Sequence, residues 1–94
     1  MNISKAEETS ALLRQVAHPQ RLLILCALSE GPKTVSELVK CCGASQSAAS
    51  QFLLRMKAEG ILKSEKEGLY VRYEISSPEI RKVIKALYSI FCKS

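Results

Sequence analysis

Residues 34–60 have the sequence TVSELVKCCGASQSAASQFLLRMKAEG, and this stretch decides the fold. Thr34 and Glu37 have the spacing of a capping box, in which each side chain satisfies a free backbone amide at the start of a helix. We therefore expect a short helix that begins here, runs to about Cys42 and ends at Gly43, a favourable residue just after a helix.

A second helix follows this one after a short turn. Ser45 is a good N-cap, and apolar residues recur with a helical period over residues 46–59 until Gly60 ends the helix. Two short helices joined by a tight glycine-containing turn predict a helix-turn-helix. In that motif the second helix enters the major groove of DNA.

The segments on either side extend this motif to a winged form. Apolar periodicity predicts three more helices and two strands. The helices cover residues 3–16, 19–29 and 78–92, and the strands cover residues 61–64 and 69–75. A charged turn over residues 65–68 joins the strands into a hairpin, in which Tyr70 and Tyr73 are expected to pack. The predicted fold is α+β and mostly helical: a winged helix-turn-helix with four helices, two strands and a final helix.

The composition favours a small globular protein with an anionic partner. The 94 residues make one domain, and 47% hydrophobic residues are too many for a disordered chain. Fourteen Lys and Arg against nine Asp and Glu give a net charge of +5, which suits nucleic acid. The polar N-terminus does not resemble a signal peptide, and no apolar run is long enough to span a membrane. We therefore expect a cytoplasmic protein with no membrane partner and with four reduced cysteines.

The start of the second helix of the motif carries small and hydrogen-bonding side chains without charge. Such residues let a helix N-terminus approach DNA closely, with hydroxyls on phosphates and Gln paired to adenine. Lys and Arg further along the helix and in the hairpin are candidates for phosphate contacts. The predicted DNA-binding residues are Ser45, Gln46, Ser47, Ala49, Ser50, Gln51, Arg55, Lys57, Lys66 and Arg72. The alternative is a capped helix that only faces solvent.

Several motifs together resemble the ArsR/SmtB family of repressors. They are AHPQRLLIL at residues 17–25, VSEL at 35–38, SQSAASQFL at 45–53, AEGIL at 58–62, and KEG at 66–68 followed by VRY at 71–73 in the wing. The resemblance implies a single DNA-binding domain over residues 1–94. It also implies a homodimer, joined through the helices at residues 3–16 and 78–92, that binds an inverted-repeat operator in double-stranded DNA and releases it on an inducer. Phe52 and Ala49 depart from the residues usual in this family.

The apolar stripe of the last helix fits that dimer. We expect one chain to leave the stripe incompletely covered by its own core. Its residues are Ile80, Val83, Ile84 and Leu87.

The family's usual metal sites are missing from this sequence. Thr34 and Ser36 stand where many members carry a metal-binding thiolate pair, and the last helix has no histidine. We therefore expect no metal ligands and no cofactor. A single histidine and the lack of a Cys-x-x-Cys motif also argue against a thiol enzyme.

Two cysteines on separate helices indicate a thiol switch instead. Cys26 and Cys92 resemble the pair in the HlyU/BigR/SqrR branch of the family. That resemblance implies a disulfide or polysulfide bridge, formed by an oxidant or by reactive sulfur species, that changes affinity for DNA. Cys26 is the favoured first nucleophile, but basic residues near the C-terminus favour Cys92, and the order stays open. The alternative is that Cys26 is a small core residue and Cys92 has no role.

Adjacent Cys41 and Cys42 leave further interpretations open. They need no function if one is a core residue and the other a partly exposed thiol. With a third thiol they would form an arsenite site, and the protein would be a metalloid sensor. A redox-sensitive activator that counters nucleoid silencing is another alternative that the branch resemblance suggests.

Overall fold

The computed structural model describes residues 1–92, in which five helices surround a small antiparallel sheet. The elements are α1 (Ile3–Val16), α2 (Pro19–Leu28), β1 (Lys33–Thr34), α3 (Val35–Cys42), α4 (Gln46–Ala58), β2 (Leu62–Glu67), β3 (Tyr70–Ile75) and α5 (Pro78–Phe91). The predicted α+β, mostly helical winged helix-turn-helix is confirmed, with helix ends within one residue of those expected. None of the described helices combines the length and the hydropathy needed to cross a membrane.

The sheet contains a strand that the sequence did not predict. β1 pairs antiparallel with β3, Lys33 opposite Tyr73 and Thr34 opposite Arg72, and the sheet order is β1-β3-β2. Two residues are too few to show the alternation that identifies a strand. β1 therefore exists because of its pairing partner and not because of its own sequence.

The hairpin is longer than expected. β2 continues to Glu67, which lies opposite Tyr70, so only Gly68 and Leu69 form the turn. Gly68 has a φ of 62°, and a two-residue hairpin turn requires such a positive φ at its first position. The predicted charged turn over residues 65–68 is wrong, because three of those four residues belong to the strand.

Local capping fixes the bounds of the helix-turn-helix. The Glu37 amide donates to Thr34 Oγ1 at 3.3 Å, and the Thr34 amide donates to the Glu37 carboxylate at 2.9 Å, which confirms the capping box. Gly43 ends α3 with a φ of 67°, in the left-handed region. The Ala48 amide donates to Ser45 Oγ at 3.2 Å at the start of α4. Each of these bounds depends only on residues within one helical turn.

A continuous apolar core holds these helices in place. Its largest fully buried side chains come from α2, α3, α4, α5, β3 and the residue before β2: Ile24, Leu25, Leu38, Leu53, Met56, Ile61, Ile75, Ile80 and Ile84. Ile80 and Ile84 are 0% exposed within one chain. The expectation that the stripe is incompletely covered is therefore wrong for Ile80 and Ile84, which pack on their own domain, whereas Val83 and Leu87 are only half-buried.

One partly buried ion pair joins three helices. Arg21 on α2 is 7% exposed and donates to the two carboxylate oxygens of Glu59 at 2.8 and 3.2 Å. It also donates to the backbone carbonyl of Gln15, near the end of α1, at 2.9 Å. Glu59 is the C-cap of α4. Because a buried guanidinium needs a charged partner and filled hydrogen bonds, this contact fixes the end of α4 against α1 and α2.

Removing the carboxylate of this pair is expected to destabilise the fold. Glu59→Ala leaves a buried charge unpaired, and the free energy of unfolding should fall by roughly 3 kcal/mol, the lower end of the range for a broken buried pair, since the Glu59 side chain is still 29% exposed. Urea denaturation at fixed protein concentration measures the loss. Glu30→Ala, at an exposed carboxylate, is the matched control. An equal loss in both variants would contradict this role for Glu59.

Candidate nucleic-acid interface and thiol pair

The first turns of α4 present most of the predicted DNA-reading residues on one surface. Ser45, Gln46, Ser47 and Gln51 are exposed, and Ser50 is half-buried. The Ser45 and Ser47 hydroxyl oxygens lie 3.5 Å apart at the helix N-terminus. The free amides and the positive end of the helix dipole make such a terminus attractive to a phosphate. Contact of these residues with DNA stays a prediction.

Ala49 does not belong to this surface. It is 0% exposed and packs inside the domain, so its assignment as a DNA-binding residue was wrong. Sequence reasoning omitted Ala48 and Phe52, which line a shallow cleft of about 180 Å³ together with Gln51 and Arg55. The helical spacing of these four residues was visible in the sequence, but which face of α4 points outward depends on the core.

His18 links the start of α2 to the same helix. Its Nδ1 accepts the Gln20 amide hydrogen at 3.2 Å, so His18 is the N-cap of α2. Its ring lies 5.1 Å from the Phe52 ring, between centroids. His18 therefore caps α2 and packs against α4.

The predicted phosphate ligands differ in whether their charged groups already have partners within the protein. Arg55 and Lys57 are exposed on α4, and the Lys57 ammonium donates to Ser64 Oγ on β2 at 2.6 Å. Arg72, whose side chain is 41% exposed, pairs with Glu67 at 2.9 Å and Glu37 at 3.5 Å, and these carboxylates compete with a phosphate for its charge.

Glu37 takes part in both the cap and this ion pair. Hydrogen bonds from the Thr34 amide and hydroxyl, together with the Arg72 charge, lower the pKa of the Glu37 carboxyl from its usual value. Arg72 therefore ties β3 to the start of α3.

The two cysteines of the expected switch are placed on neighbouring helices. Cys26 on α2 is half-buried against the core, and Cys92 is exposed at the C-cap of α5. Burial raises the pKa of the Cys26 thiol, and a charge on Cys92 raises it further. Both causes lower the thiolate fraction of Cys26 relative to an ordinary cysteine, and the thiolate is the nucleophilic form.

The adjacent cysteines of α3 have different surroundings. Cys42 is buried in the core, and Cys41 is exposed. Burial raises the pKa of the Cys42 thiol, with smaller contributions from Cys41 and Cys26. Within residues 1–92, no three His, Cys, Asp or Glu side chains are grouped so as to hold a metal ion.

A helix-turn-helix with a hairpin wing and an uncharged, amide-rich N-terminus on the second helix defines a DNA-binding transcription regulator. Residues 18–64 match the family model described as "Bacterial regulatory protein, arsR family". The chain belongs to the ArsR family. Members of this family typically act as homodimers on DNA operators.

Similarity to individual members extends over nearly the whole chain. The HTH-type transcriptional regulator YgaV of Escherichia coli is 40% identical over 95% of this chain and 91% of its own length. The transcriptional activator HlyU of Vibrio cholerae is 36% identical over 100% of this chain and 91% of its own. The crystal structure of the transcriptional repressor BigR from Xylella fastidiosa has a TM-score of 0.87 at 32% identity, covering 97% of this chain and 93% of that one. These relatives confirm the predicted HlyU/BigR branch and a regulator that is not an enzyme.

The coupling of the thiols leads to a pH prediction. Cys92→Ser removes the charge that raises the pKa of Cys26, so alkylation of Cys26 by iodoacetamide should shift to lower pH than in the unmodified protein. Burial still acts, so the pKa of Cys26 should stay above its ordinary value. Peptide mass spectrometry measures the rate at each pH. Cys41→Ser is the control and should leave the Cys26 profile unchanged; no shift in Cys92→Ser would contradict the coupling.

Proposed function

We propose that this chain is a homodimeric DNA-binding regulator whose affinity for an inverted-repeat operator changes when Cys26 and Cys92 are bridged. The observation that carries the proposal is the packing of α5 against α2, which brings the Cys92 charge within electrostatic reach of Cys26. The inducer is an oxidant or a reactive sulfur species. Similarity to BigR and HlyU supports a thiol-based signal in this branch.

Apolar side chains on the outer helices supply a surface for the second copy. On α1, Ile3 is 75% exposed and Leu13 is 44% exposed. On α5, Tyr88, Ile90 and Phe91 are 48%, 68% and 78% exposed. An exposed set of this kind favours burial against an identical partner. Two-fold symmetry would then set the two copies of α4 about 34 Å apart, one DNA turn.

The switch chemistry needs a sulfur-transfer reagent with an S–S bond. The Cys92 thiolate attacks one sulfur of a polysulfide, the S–S bond breaks, and a thiolate leaves with the bonding electron pair. The Cys26 thiol then loses its proton to solvent and attacks the new S–S bond, which releases a second thiolate. The two cysteines are oxidised, and the polysulfide is reduced to two thiolates.

The site of the second attack decides the length of the bridge. Attack on the Cys92 sulfur gives a direct disulfide, which requires Cα atoms within about 7 Å. Attack on a farther sulfur of a longer chain retains that sulfur in the bridge. The order of attack was left open by the sequence, and the raised pKa of Cys26 together with the exposure of Cys92 supports Cys92 as the first nucleophile.

The bridge would act on DNA binding through the contacts between α2 and α4. Cys26 and Arg21 lie on the same helix, and Arg21 holds Glu59 at the end of α4. A bridge between α2 and α5 would strain the ion pair between Arg21 and Glu59 and tilt α4 relative to the dimer axis. A change in half-site spacing weakens binding because both copies of α4 must enter successive major grooves.

A specific observation supports each of two alternative functions. Charges on Cys41 and Cys26 add to the effect of burial in raising the pKa of the Cys42 thiol. The crystal structure of the antimony-specific repressor AntR has a TM-score of 0.86 at 25% identity, covering 98% of this chain and 84% of that one. These support a metalloid sensor as the second candidate. The similarity to the activator HlyU supports an activating output on the same fold.

The dimer surface is tested by placing a charge on it. Ile90→Asp should give monomers in sedimentation experiments, because an unpaired carboxylate would be buried between the two copies of α5. Leu69→Asp, which changes an apolar residue exposed on the hairpin, should remain dimeric. A monomeric unmodified protein at micromolar concentration, or a dimeric Ile90→Asp, would remove this surface from the proposal.

The switch is tested by operator binding before and after polysulfide treatment. The unmodified protein should change its affinity by roughly 5–150-fold, the span of a typical coupling energy. Cys26→Ser and Cys92→Ser should bind like the reduced protein and should not respond. Intact mass identifies the added sulfur.

Variants at the other two cysteines separate the alternatives. Cys41→Ser and Cys42→Ser should respond to polysulfide normally. A polysulfide response that survives in Cys26→Ser, or that is lost in the Cys41 or Cys42 variant, contradicts the proposed pair. Release of DNA by arsenite or antimonite that requires Cys41 or Cys42 would favour the metalloid sensor. Reporter expression with and without a nucleoid-silencing protein distinguishes repression from antisilencing.

A further inference from the structure

The hairpin wing, Leu62 to Ile75, has no surplus of positive charge. It contains three cations, Lys63, Lys66 and Arg72, and three carboxylates, Glu65, Glu67 and Glu74. A surface that binds DNA by neutralising phosphates carries an excess of Lys and Arg, since phosphate contacts release counterions. The wing does not fit that pattern, although the domain as a whole has a charge of +5.

Two of the three wing cations are also occupied within the protein. Lys63 pairs with Glu74 at 3.1 Å, and Arg72 pairs with Glu67 at 2.9 Å. Among residues 1–92, Lys66 is the wing cation that forms no ion pair. The wing therefore offers about one phosphate contact, a small contribution to electrostatic binding.

The tip of the wing is apolar instead. Leu69 lies in the two-residue turn and is 96% exposed, and Tyr70 beside it is 65% exposed. The expectation that both hairpin tyrosines pack in the sheet is therefore wrong for Tyr70, whereas Tyr73 is buried at 7% exposure. The tip of the wing thus presents Leu69 almost completely, and Tyr70 for about two thirds of its surface, to solvent.

The position of this tip follows from the base of the hairpin. β2 packs against α4, and the hydrogen bond from Lys57 to Ser64 ties the two elements together at 2.6 Å. Three residues of β2 follow Ser64 before the turn, so the tip lies roughly 10 Å beyond that contact. With α4 in the major groove, an arm of this length reaches the neighbouring minor groove. The tip is therefore continuous with the DNA-binding surface of α4.

We propose that Leu69 is an apolar wedge that enters the minor groove beside the half-site, with Tyr70 against the sugar backbone. The inference rests on the proposed placement of α4 in the major groove. Apolar wedges in the minor groove act by partly unstacking a base step, and flexible pyrimidine–purine steps deform most easily. The wing thereby selects DNA by its deformability outside the bases that α4 contacts.

Salt dependence separates this contact from a phosphate contact. The probe is a duplex selected from random sequence by the reduced unmodified protein. Leu69→Ala should weaken binding roughly tenfold per wing, the equivalent of about two methylene groups left unburied, with an unchanged slope of affinity against salt. Lys66→Ala, the matched control on the same hairpin, should lower that slope by about one per wing, or about two for the dimer. Leu69→Met should restore most of the affinity.

A second experiment varies the sequence of the DNA duplex. Replacing the flexible step under the wing by a stiffer G·C step should weaken DNA binding by the unmodified protein. Binding by Leu69→Ala should be unaffected, because the wedge is already missing.

Equal binding of the unmodified protein and Leu69→Ala to all duplexes overturns the inference alone. A Leu69→Ala variant that alters oligomeric state shows a protein contact and also overturns it. Failure of the unmodified protein to select any duplex overturns the proposed DNA-binding function with it. Leu69 is outside the core, so thermal unfolding should be unchanged in the variants.

Discussion

The relative placement of the thiol-bearing helix and the DNA-reading helix depends on the ion pair between Arg21 and Glu59. A guanidinium that is 7% exposed cannot regain its water without displacing α2, so the carboxylate at the end of α4 has to stay beside it. The His18 ring against Phe52 is a second contact between the same two helices. A displacement of α2 therefore moves α4 as well, because these two contacts join the helices.

A second network makes the helix-turn-helix and the wing one mechanical unit. Thr34 pairs with β3, caps α3 and holds Glu37, and Glu37 in turn contacts Arg72 on β3. The start of α3 is thus fixed to the wing by backbone pairing and by charge. Arg72 is thus paired with carboxylates of the protein, which leaves Lys66 as the wing cation without an ion pair among residues 1–92.

The sequence correctly predicted the features that depend on residues close to one another in the chain. Thr34, Gly43 and Ser45 fix helix ends within one turn, so the bounds of α3 and α4 were correct. Strand β1 and the inward direction of Ala49 depend on partners far along the chain, and periodicity alone does not contain them. The thiol pair came from resemblance to a family. The raised pKa of Cys26 follows mainly from burial, which only the folded chain defines.

The distribution of charge gives the helix-turn-helix and the wing different roles in DNA binding. Residues 35–58, from the start of α3 to the end of α4, hold three cations and one carboxylate, a net charge of +2. The wing holds none of the surplus. Counterion release is therefore concentrated where the helices meet the major groove, and this term is independent of base sequence. A neutral wing adds little to non-specific affinity, so its contact contributes mainly to discrimination between duplexes. A regulator with this arrangement gains selectivity from the wing without binding all DNA more tightly.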